Sequence, residues 1–221
     1  MSSRLLEAPR ETFPALDAIP HLRAGFFLRV PELDVQTDRE TAMERLSGIH
    51  RRALDRAGFE GMPLATAVQV HGNSVREVFA GEEFPVADCD ALVTCERGLC
   101  LGIYVADCAA VFIADKLGRG IGLAHSGRKG TELGIVSRTI EALCRRANAK
   151  PEDFVVQISP CIRPPHYEVD FAAEIRRQVA AAGVAEIYDD LRCTASDLST
   201  YYSYRMEKGK TGRLLAALAM I

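Results

Sequence analysis

The sequence lacks the features that would place it in several large classes of protein. It has no excess of positive charge, since 27 Lys and Arg residues stand against 30 Asp and Glu residues, for a formal net charge of −3. Nucleic-acid partners require a basic field, so we expect none. The most apolar stretch, residues 99–114, is interrupted by Asp107 and is too short to cross a bilayer, so we expect no membrane partner either.

The seven cysteines form no recognisable disulfide or metal-binding pattern. Their number is odd, and no C-x-x-C pair occurs among them. Cys89, Cys95 and Cys100 match no zinc-finger spacing and have apolar neighbours, so we expect all three in the core. The first residues also lack the cationic and apolar regions of a secretory signal. These absences predict a cytoplasmic protein with reduced thiols.

The length and the pattern of apolar residues favour one domain of mixed structure. A chain of 221 residues, 48% of them hydrophobic, is long enough for one substantial core. We expect an irregular lead-in over residues 1–21 and a single domain over residues 22–221. The strand clusters are interrupted by helices rather than alternating strictly with them, which indicates a layered, mixed α/β (α+β) fold.

The individual elements follow from local patterns. Short β-rich runs predict strands over residues 22–29, 64–70, 90–94, 99–105, 111–115, 120–124 and 154–159. Helical spacing of apolar residues predicts helices over residues 41–57 and 172–182, and a third that Thr131 caps and that runs to about Ala147.

Three residues with metal-binding chemistry end or directly follow predicted strands. His71, Cys108 and His125 are each succeeded by small or turn-forming residues, and strand ends on a rigid scaffold commonly carry sites. Two imidazoles and one thiolate suit zinc and leave its fourth position open. The same residues also fit a metal-free hypothesis, in which Cys108 is a nucleophile, a histidine is its base and Asp107 or the other histidine orients that base. A buried structural cysteine and turn histidines are a third interpretation.

The segment after His125 has the composition of an anion site. Gly127, Arg128, Lys129 and Gly130 lead into the predicted helix, whose free N–H groups and positive dipole end favour phosphate. The alternative is an ordinary strand-to-helix turn in which Arg128 and Lys129 are solvated.

A set of short motifs in this order resembles the laccase-domain family, also called the polyphenol oxidase or YfiH-type purine nucleoside phosphorylase family. The resemblance spans about residues 22–221. It is carried by Gln69-Val70-His71-Gly72, Asp90-Ala91-Leu92-Val93-Thr94, Ala106-Asp107-Cys108, Ala124-His125-Ser126-Gly127, Gly130-Thr131, Ile158-Ser159-Pro160, Tyr167-Glu168-Val169, Cys193-Thr194, Ser203-Tyr204-Arg205 and Thr211-Gly212-Arg213.

The resemblance implies an αββα fold related to cysteine hydrolases and deamidating toxins. It implies that His71, Cys108 and His125 bind zinc and take part in catalysis, and that Arg29 and Arg205 contact substrate, with Arg128 and Lys129 as the phosphate candidates. The implied reactions are phosphorolysis of adenosine, inosine, guanosine or methylthioadenosine, and deamination of adenosine. Copper fits less well than zinc, because a multicopper oxidase needs more than the five histidines present. The expected partners are purine nucleosides and phosphate, and the chain is expected to be a monomer or a small homo-oligomer.

The sequence departs from the family pattern after His125. The usual His-Ala-Gly-Trp-Arg-Gly is replaced by residues 125–130, in which Arg128 stands in place of the aromatic residue and Lys129 in place of the arginine. Lysine does not reproduce the forked hydrogen bonding of arginine. This change favours one alternative, a divergent nucleoside-binding protein with weak catalysis. A metal-free Cys/His hydrolase of amide bonds and a copper-dependent polyphenol oxidase also stay open.

Overall fold

The computed structural model describes residues 6–221 and has an αββα architecture. Two mixed β-sheets pack face to face, and helices cover their outer faces. The strands are β1 (Arg10–Glu11), β2 (Leu22–Phe27), β3 (Leu64–Ala65), β4 (Val75–Glu77), β5 (Ala91–Thr94), β6 (Cys100–Val105), β7 (Ala109–Asp115), β8 (Ile121–Ser126), β9 (Phe154–Ile158), β10 (Glu186–Asp189) and β11 (Leu214–Met220). The helices are α1 (Pro14–Asp17), α2 (Arg39–Leu54), α3 (Arg128–Glu132), α4 (Ile135–Ala147) and α5 (Phe171–Ala181). The predicted fold class is confirmed.

The first sheet has five strands in the order β1-β2-β11-β6-β3. Its centre is β11, which pairs antiparallel with β2 and with β6 and is buried along its whole length. The sequence predicts no strand there, because Leu-Leu-Ala-Ala-Leu-Ala-Met contains good helix formers and has no strand alternation. Burial on both faces of the sheet overrides that propensity.

The second sheet has six strands in the order β10-β9-β7-β8-β5-β4. Its four central strands pair antiparallel, and β4 and β10 are added in parallel at the two edges. The helices α4 and α5 pack on its outer face through buried aliphatic side chains such as Ile140, Leu143 and Ile175. This sheet carries most of the site described below.

The helix α2 covers the other outer face. The side chain of Asp38 accepts a hydrogen bond from the N–H of Thr41 at 3.0 Å and so caps the helix N-terminus. Leu46, Ile49 and Leu54 recur at helical spacing and are buried against the five-stranded sheet. The helix predicted over residues 41–57 is therefore present, with its first regular residue at Arg39.

Two predicted elements differ from those observed. The helix expected from Thr131 to Ala147 is split, because Gly134 adopts a left-handed conformation with φ of 73° between α3 and α4. Thr131 lies inside α3 rather than at a cap. The strand expected over residues 64–70 is regular only at Leu64 and Ala65; the backbone then forms an isolated bridge between Ala67 and Val86, and Val70 turns toward the buried carboxylate of Asp90. The other predicted strands are present with ends shifted by one or two residues.

The segment expected to be irregular, residues 1–21, carries two short elements. Arg10 and Glu11 pair with Phe27 and Phe26 as the edge of the first sheet, and α1 follows directly. Residues 1–5 lie outside the described part. Cys89 and Cys100 are buried as expected, but Cys95 is exposed because it directly follows the end of β5. Within residues 6–221, no helix combines the length and the apolar character needed to span a membrane.

Candidate active site

The structure brings His71, Cys108 and His125 together at one edge of the second sheet. One side-chain donor atom from each residue lies within 4.8 Å of the other two. The two imidazole rings are nearly perpendicular, with their centroids 4.7 Å apart. His71 is exposed, Cys108 is half-buried and His125 is buried, so the cluster opens to solvent on one side.

Strand register explains why residues so far apart in sequence meet. Ala91 of β5 lies opposite Ala124 of β8, which places Asp90 beside His125. On its other side β8 pairs with β7, where Ala110 lies opposite His125. Cys108 directly precedes β7 and therefore reaches the same end of the sheet.

Asp90 holds both histidines in position. Its side chain is completely buried and accepts a hydrogen bond from Nδ1 of His125 at 2.8 Å. The same carboxylate accepts the backbone N–H groups of His71 at 2.9 Å and Gly72 at 2.7 Å. Because a carboxylate only accepts, Nδ1 of His125 carries a proton, so Nε2 is the ring nitrogen left to interact with Cys108 and, once deprotonated, to bind a metal.

The backbone at His71 and Asp107 bends sharply to present the site. His71 has a φ of 58° and Asp107 a φ of 83°, both in the left-handed region that side chains other than glycine seldom adopt. The buried carboxylate of Asp107 accepts from the hydroxyl of Thr194 and from the backbone N–H of Arg205, each at 2.7 Å. Asp107 therefore fixes the turn that carries Cys108, while Asp90 is the carboxylate that orients a histidine.

Gly127 leaves room for the sulfur of Cys108. A Cβ atom at position 127 would stand 2.5 Å from Sγ of Cys108, much closer than van der Waals contact allows. Gly127 is also the residue that precedes α3. The sulfur is thus packed against bare backbone at the start of this short helix.

Cys108 and His125 form a coupled pair of opposite charge in the metal-free protein. Burial alone would raise the pKa of the Cys108 thiol, but the charge and hydrogen bonds of His125 and His71 lower it to about 6. Burial alone would lower the pKa of His125, but the Cys108 thiolate and the hydrogen bond to Asp90 raise it to about 9. Both shifts favour a thiolate at neutral pH, which is the form that binds metal or attacks an electrophile.

A cavity of about 1150 Å³ opens over the cluster. Its apolar walls come from the aromatic residues Tyr104, Tyr167, Phe171 and Tyr204. Six cationic side chains also line it: Arg39, Arg128, Lys129, Arg205, Lys208 and Arg213. Asp107 and Glu132 are the acidic residues among the lining groups, so the cavity has an excess of positive charge.

Three of the four predicted substrate contacts line this cavity. Arg128 forms an ion pair with Glu132 at 3.0 Å, Arg205 forms one with Glu168 at 3.3 Å, and Lys129 is exposed. Arg29 is not among the lining residues. Its guanidinium pairs with Glu207 at 2.6 Å and stacks 4.4 Å from the Tyr202 ring centroid, which gives it a structural role.

Sequence reasoning missed three residues of the site. Asp90 belongs to one of the motifs, but the sequence does not identify it as a partner of His125, because only strand register shows that the two meet. Arg39 and Arg213 lie near opposite ends of the chain, so no local spacing could associate them with Cys108. Arg213 belonged to a recognised motif, which was the one signal available for it.

The donor set fits a metal ion. Two imidazole nitrogens and one sulfur are close enough to share an ion such as zinc, which binds tetrahedrally and in catalytic sites takes three protein ligands. The Asp90–His125 hydrogen bond is the outer partner that metal-bound histidines usually have. Within residues 6–221 this is the one group of three or more His, Cys, Asp or Glu side chains arranged to hold a metal.

Comparison with known proteins gives a consistent result over nearly the whole chain. The family model described as multi-copper polyphenol oxidoreductase laccase matches residues 31–174 and 169–221. A protein of Deinococcus radiodurans named purine nucleoside phosphorylase is 30% identical over 92% of this chain and 90% of its own length. Purine nucleoside phosphorylase YlmD of Geobacillus stearothermophilus is 31% identical over 67% of this chain and 69% of its own.

A solved structure shares the fold. The crystal structure of YlmD from Geobacillus stearothermophilus superposes with a TM-score of 0.84 over 100% of this chain and 97% of that chain. The sequence identity in that superposition is 23%, so the likeness concerns the arrangement of the two sheets and their helices.

Proposed function

Because this chain belongs to the multi-copper polyphenol oxidoreductase laccase family, whose relatives above are named purine nucleoside phosphorylases, we propose that it is a metal-dependent purine nucleoside phosphorylase. The observation that carries the proposal is the convergence of His71, Cys108 and His125 beneath a cationic, aromatic-lined cavity. Adenosine, inosine, guanosine and methylthioadenosine are the proposed substrates. Deamination of adenosine is a proposed second activity, and we propose a cytoplasmic location.

We assign the metal as zinc, with His71, Cys108 and His125 as its ligands. The thiolate favours a softer ion than magnesium or calcium, and the five histidines of the chain are too few for a multicopper centre. When bound, zinc supplies Lewis-acid stabilisation of negative charge on the substrate. Asp90 keeps the proton of His125 on Nδ1 and so keeps Nε2 available as a ligand.

The cavity walls suit a flat base and an anion. An exposed aromatic ring such as that of Tyr204 can stack on a purine, while the apolar surface of buried residues such as Phe171 helps to exclude water from the reacting atoms. Arg128, Lys129 and Arg205 are the candidates for holding phosphate. In phosphorolysis a phosphate oxygen bonds to C1′ of the ribose while the bond from C1′ to N9 breaks, and the purine takes up a proton as it leaves. Cations beside the attacking phosphate position it for that displacement.

The test combines metal content with product analysis. Purified full-length protein is analysed by elemental mass spectrometry, and base release from adenosine and inosine is measured with and without phosphate. We expect about one zinc per chain, base release that requires phosphate, and loss of both after chelation with recovery on adding zinc. Formation of inosine from adenosine is followed separately, because deamination needs no phosphate.

A matched pair of cysteine variants controls the experiment. Cys108→Ser removes the proposed ligand, whereas Cys95→Ser removes an exposed thiol outside the cavity. The proposal requires activity to fall with the first and to survive the second. Base release that continues unchanged in metal-free protein would contradict it.

One observation favours a second candidate function, a metal-free cysteine hydrolase of amide bonds. Cys108, His125 and Asp90 are arranged in the order nucleophile, base and orienting acid, with the pKa of Cys108 lowered to about 6. This alternative predicts hydrolysis that survives chelation and ignores phosphate. Nucleoside binding without turnover in zinc-loaded protein would instead point to a binding protein.

A further inference from the structure

The cations around the cavity differ in how they are neutralised. Arg128 pairs with Glu132 and with Glu168, and Arg205 pairs with Glu168. Arg39 and Arg213, in contrast, have no carboxylate within ion-pair distance among residues 6–221; the same holds for Lys129 and Lys208, which lack the forked guanidinium. Two cavity-lining arginines that lack an ion-pair partner create a local excess of positive charge.

Arg213 is held in place by neutral groups. Its Nη1 donates to the backbone carbonyl oxygens of Thr211 and Gly212, both at 2.9 Å. The guanidinium carbon lies 5.8 Å from the centroid of the Tyr204 ring, which also lines the cavity. The side chain is half-buried, and its guanidinium donates no other hydrogen bond within the described chain. Arg213 is thus fixed while part of its five-donor fork remains free.

Arg39 lines the same cavity as Arg213 but belongs to a different element. It is the first residue of α2, is exposed and lines the cavity. Burial and the neighbouring charge of Arg39 lower the pKa of Arg213, while Tyr204, Cys108 and Asp107 act in the opposite direction. Both oxygens of the Asp107 carboxylate already accept hydrogen bonds, from Thr194 and from the backbone of Arg205. Asp107 therefore forms no direct ion pair with either arginine and acts on Arg213 only from a distance.

We propose that Arg39 and Arg213 form an oxyanion-binding subsite of the cavity, which takes a phosphate group close to Cys108. Guanidinium groups bind phosphate oxygens through paired, charge-assisted hydrogen bonds, and two of them can share one phosphate. The anion removes the repulsion between the two cations, which stabilises the complex further. The subsite adds detail to the proposed function and rests on that function for the identity of the nucleoside.

The phosphate group has two chemical sources. It is either inorganic phosphate, the second substrate of phosphorolysis, or the 5′-phosphate of a nucleotide that occupies the rest of the cavity. Both present the same oxygens to the arginines. Inorganic phosphate, adenosine and adenosine 5′-monophosphate are therefore the probes.

Binding of the three probes to zinc-loaded, full-length protein is measured by titration calorimetry. The variants are Arg39→Gln, Arg213→Gln and Arg213→Lys, with Arg52→Gln as the matched control, since Arg52 is an exposed arginine on the same helix that does not line the cavity. We expect each glutamine variant to weaken phosphate-group binding by about tenfold or more, Arg213→Lys to weaken it less, and Arg52→Gln to leave it unchanged. Because Arg39 is exposed, its variant tests the subsite without disturbing the fold, and metal content checks that the cluster is intact.

The arms of the experiment separate the two sources. If wild-type protein binds the monophosphate more tightly than adenosine and the glutamine variants lose that difference, the subsite takes the nucleotide phosphate. If the variants weaken inorganic phosphate instead and the monophosphate gains nothing over adenosine, the subsite holds the attacking phosphate. Unchanged binding of inorganic phosphate and of the monophosphate in both Arg39→Gln and Arg213→Gln overturns the inference.

Failure of the proposed function would look different. Phosphate binding that depends on Arg39 and Arg213, in a protein that releases no base, contradicts the phosphorylase proposal and supports the subsite. Phosphorolysis with an unchanged KM for phosphate in both glutamine variants, together with unchanged monophosphate binding, supports the phosphorylase and contradicts the subsite.

Discussion

Two histidines of this protein are almost completely buried, yet they occupy opposite chemical environments. His125 lies on the floor of the cavity, where the charged groups of Asp90 and Cys108 raise its pKa to about 9. His50 lies between α2 and the first sheet, stacked on the ring of Tyr104 with centroids 5.9 Å apart. Neither ring nitrogen of His50 has a hydrogen-bond partner among residues 6–221, and burial lowers its pKa to about 4.

The contrast shows that burial by itself does not make a histidine chemically useful. Desolvation acts on both rings in the same direction, since it disfavours the charged form. A buried carboxylate and thiolate reverse the result at His125 and fix its tautomer. The chemistry of the cavity floor therefore depends on the charged groups around His125. Each substitution below removes one of the differences between the surroundings of His125 and those of His50.

Loss of the sulfur from the cavity floor should have the largest effect. In Cys108→Ser the soft, anionic ligand is replaced by a neutral hydroxyl. Loss of a residue that only orients a ligand lowers metal affinity by about 10–100-fold, and we expect the loss of the ligand itself to lower zinc affinity by more than that. Competition with a chromogenic chelator measures the affinity, with Cys95→Ser as the control. Equal zinc occupancy in the two variants would remove Cys108 from the ligand set.

Replacing the buried carboxylate should make His125 resemble His50. Asp90→Asn keeps the size of the side chain but removes its charge, and its amide nitrogen cannot accept from the loop of His71 or from His125. We expect zinc affinity to fall by about 10–100-fold, together with a loss of stability in thermal unfolding. Glu132→Gln changes an exposed acid at the cavity rim and should leave zinc affinity unchanged; a similar loss in that variant would mean that net charge, not orientation, is responsible.

A methyl group at position 127 should displace the sulfur without changing any charge. In Gly127→Ala the new Cβ meets Sγ of Cys108 at 2.5 Å, so the turn or the sulfur must shift. Overpacking of this kind costs about 1–3 kcal/mol. Chemical denaturation measures the cost, and Gly48→Ala within α2, where the nearest atom is the flexible end of Arg52, should not destabilise the protein. Equal stability of the two variants would show that the floor is not tightly packed.

The smallest expected effect is a change in pH dependence at His50. Because its folded pKa of about 4 is below the ordinary 6.5, the unfolded chain takes up a proton first as the pH falls, and stability declines from about pH 6.5 toward pH 4. His50→Phe removes the group whose protonation favours the unfolded chain. Between pH 8 and pH 5.5 the free energy of unfolding of the variant should therefore gain about 1 kcal/mol relative to that of wild type. Urea unfolding at the two pH values gives the difference, and parallel losses in both proteins would disprove it.

Much of the fold was predictable because local patterns of apolar and turn-forming residues specify its strands and helices. The strands that begin near Leu22, Leu99 and Phe154 are apolar runs bounded by turn residues, and α2 shows helical spacing. The failures have physical causes. The central strand β11 has the composition of a helix, and the predicted strand after Leu64 is cut short because its backbone pairs with Val86 and then turns so that Val70 donates to Asp90.

The candidate site was predictable in its chemistry but not in its assembly. His71, Cys108 and His125 could be selected as a ligand set by residue type and position after strands, and Arg128, Lys129 and Arg205 could be placed near them by motif. Arg29 is turned away by its ion pair with Glu207, a contact between residues that are distant in sequence.

The sequence alone determined which donors this protein can offer, because ligand preference depends on the type of side chain. Tertiary structure alone decided which of these donors meet. The register of β5, β8 and β7 places Asp90, His125 and Cys108 at one sheet edge, and the packing of α2 and the chain before β11 brings Arg39 and Arg213 to the cavity. Such contacts join residues far apart along the chain, and their closure is stabilised by burial of both sheets rather than by any local pattern.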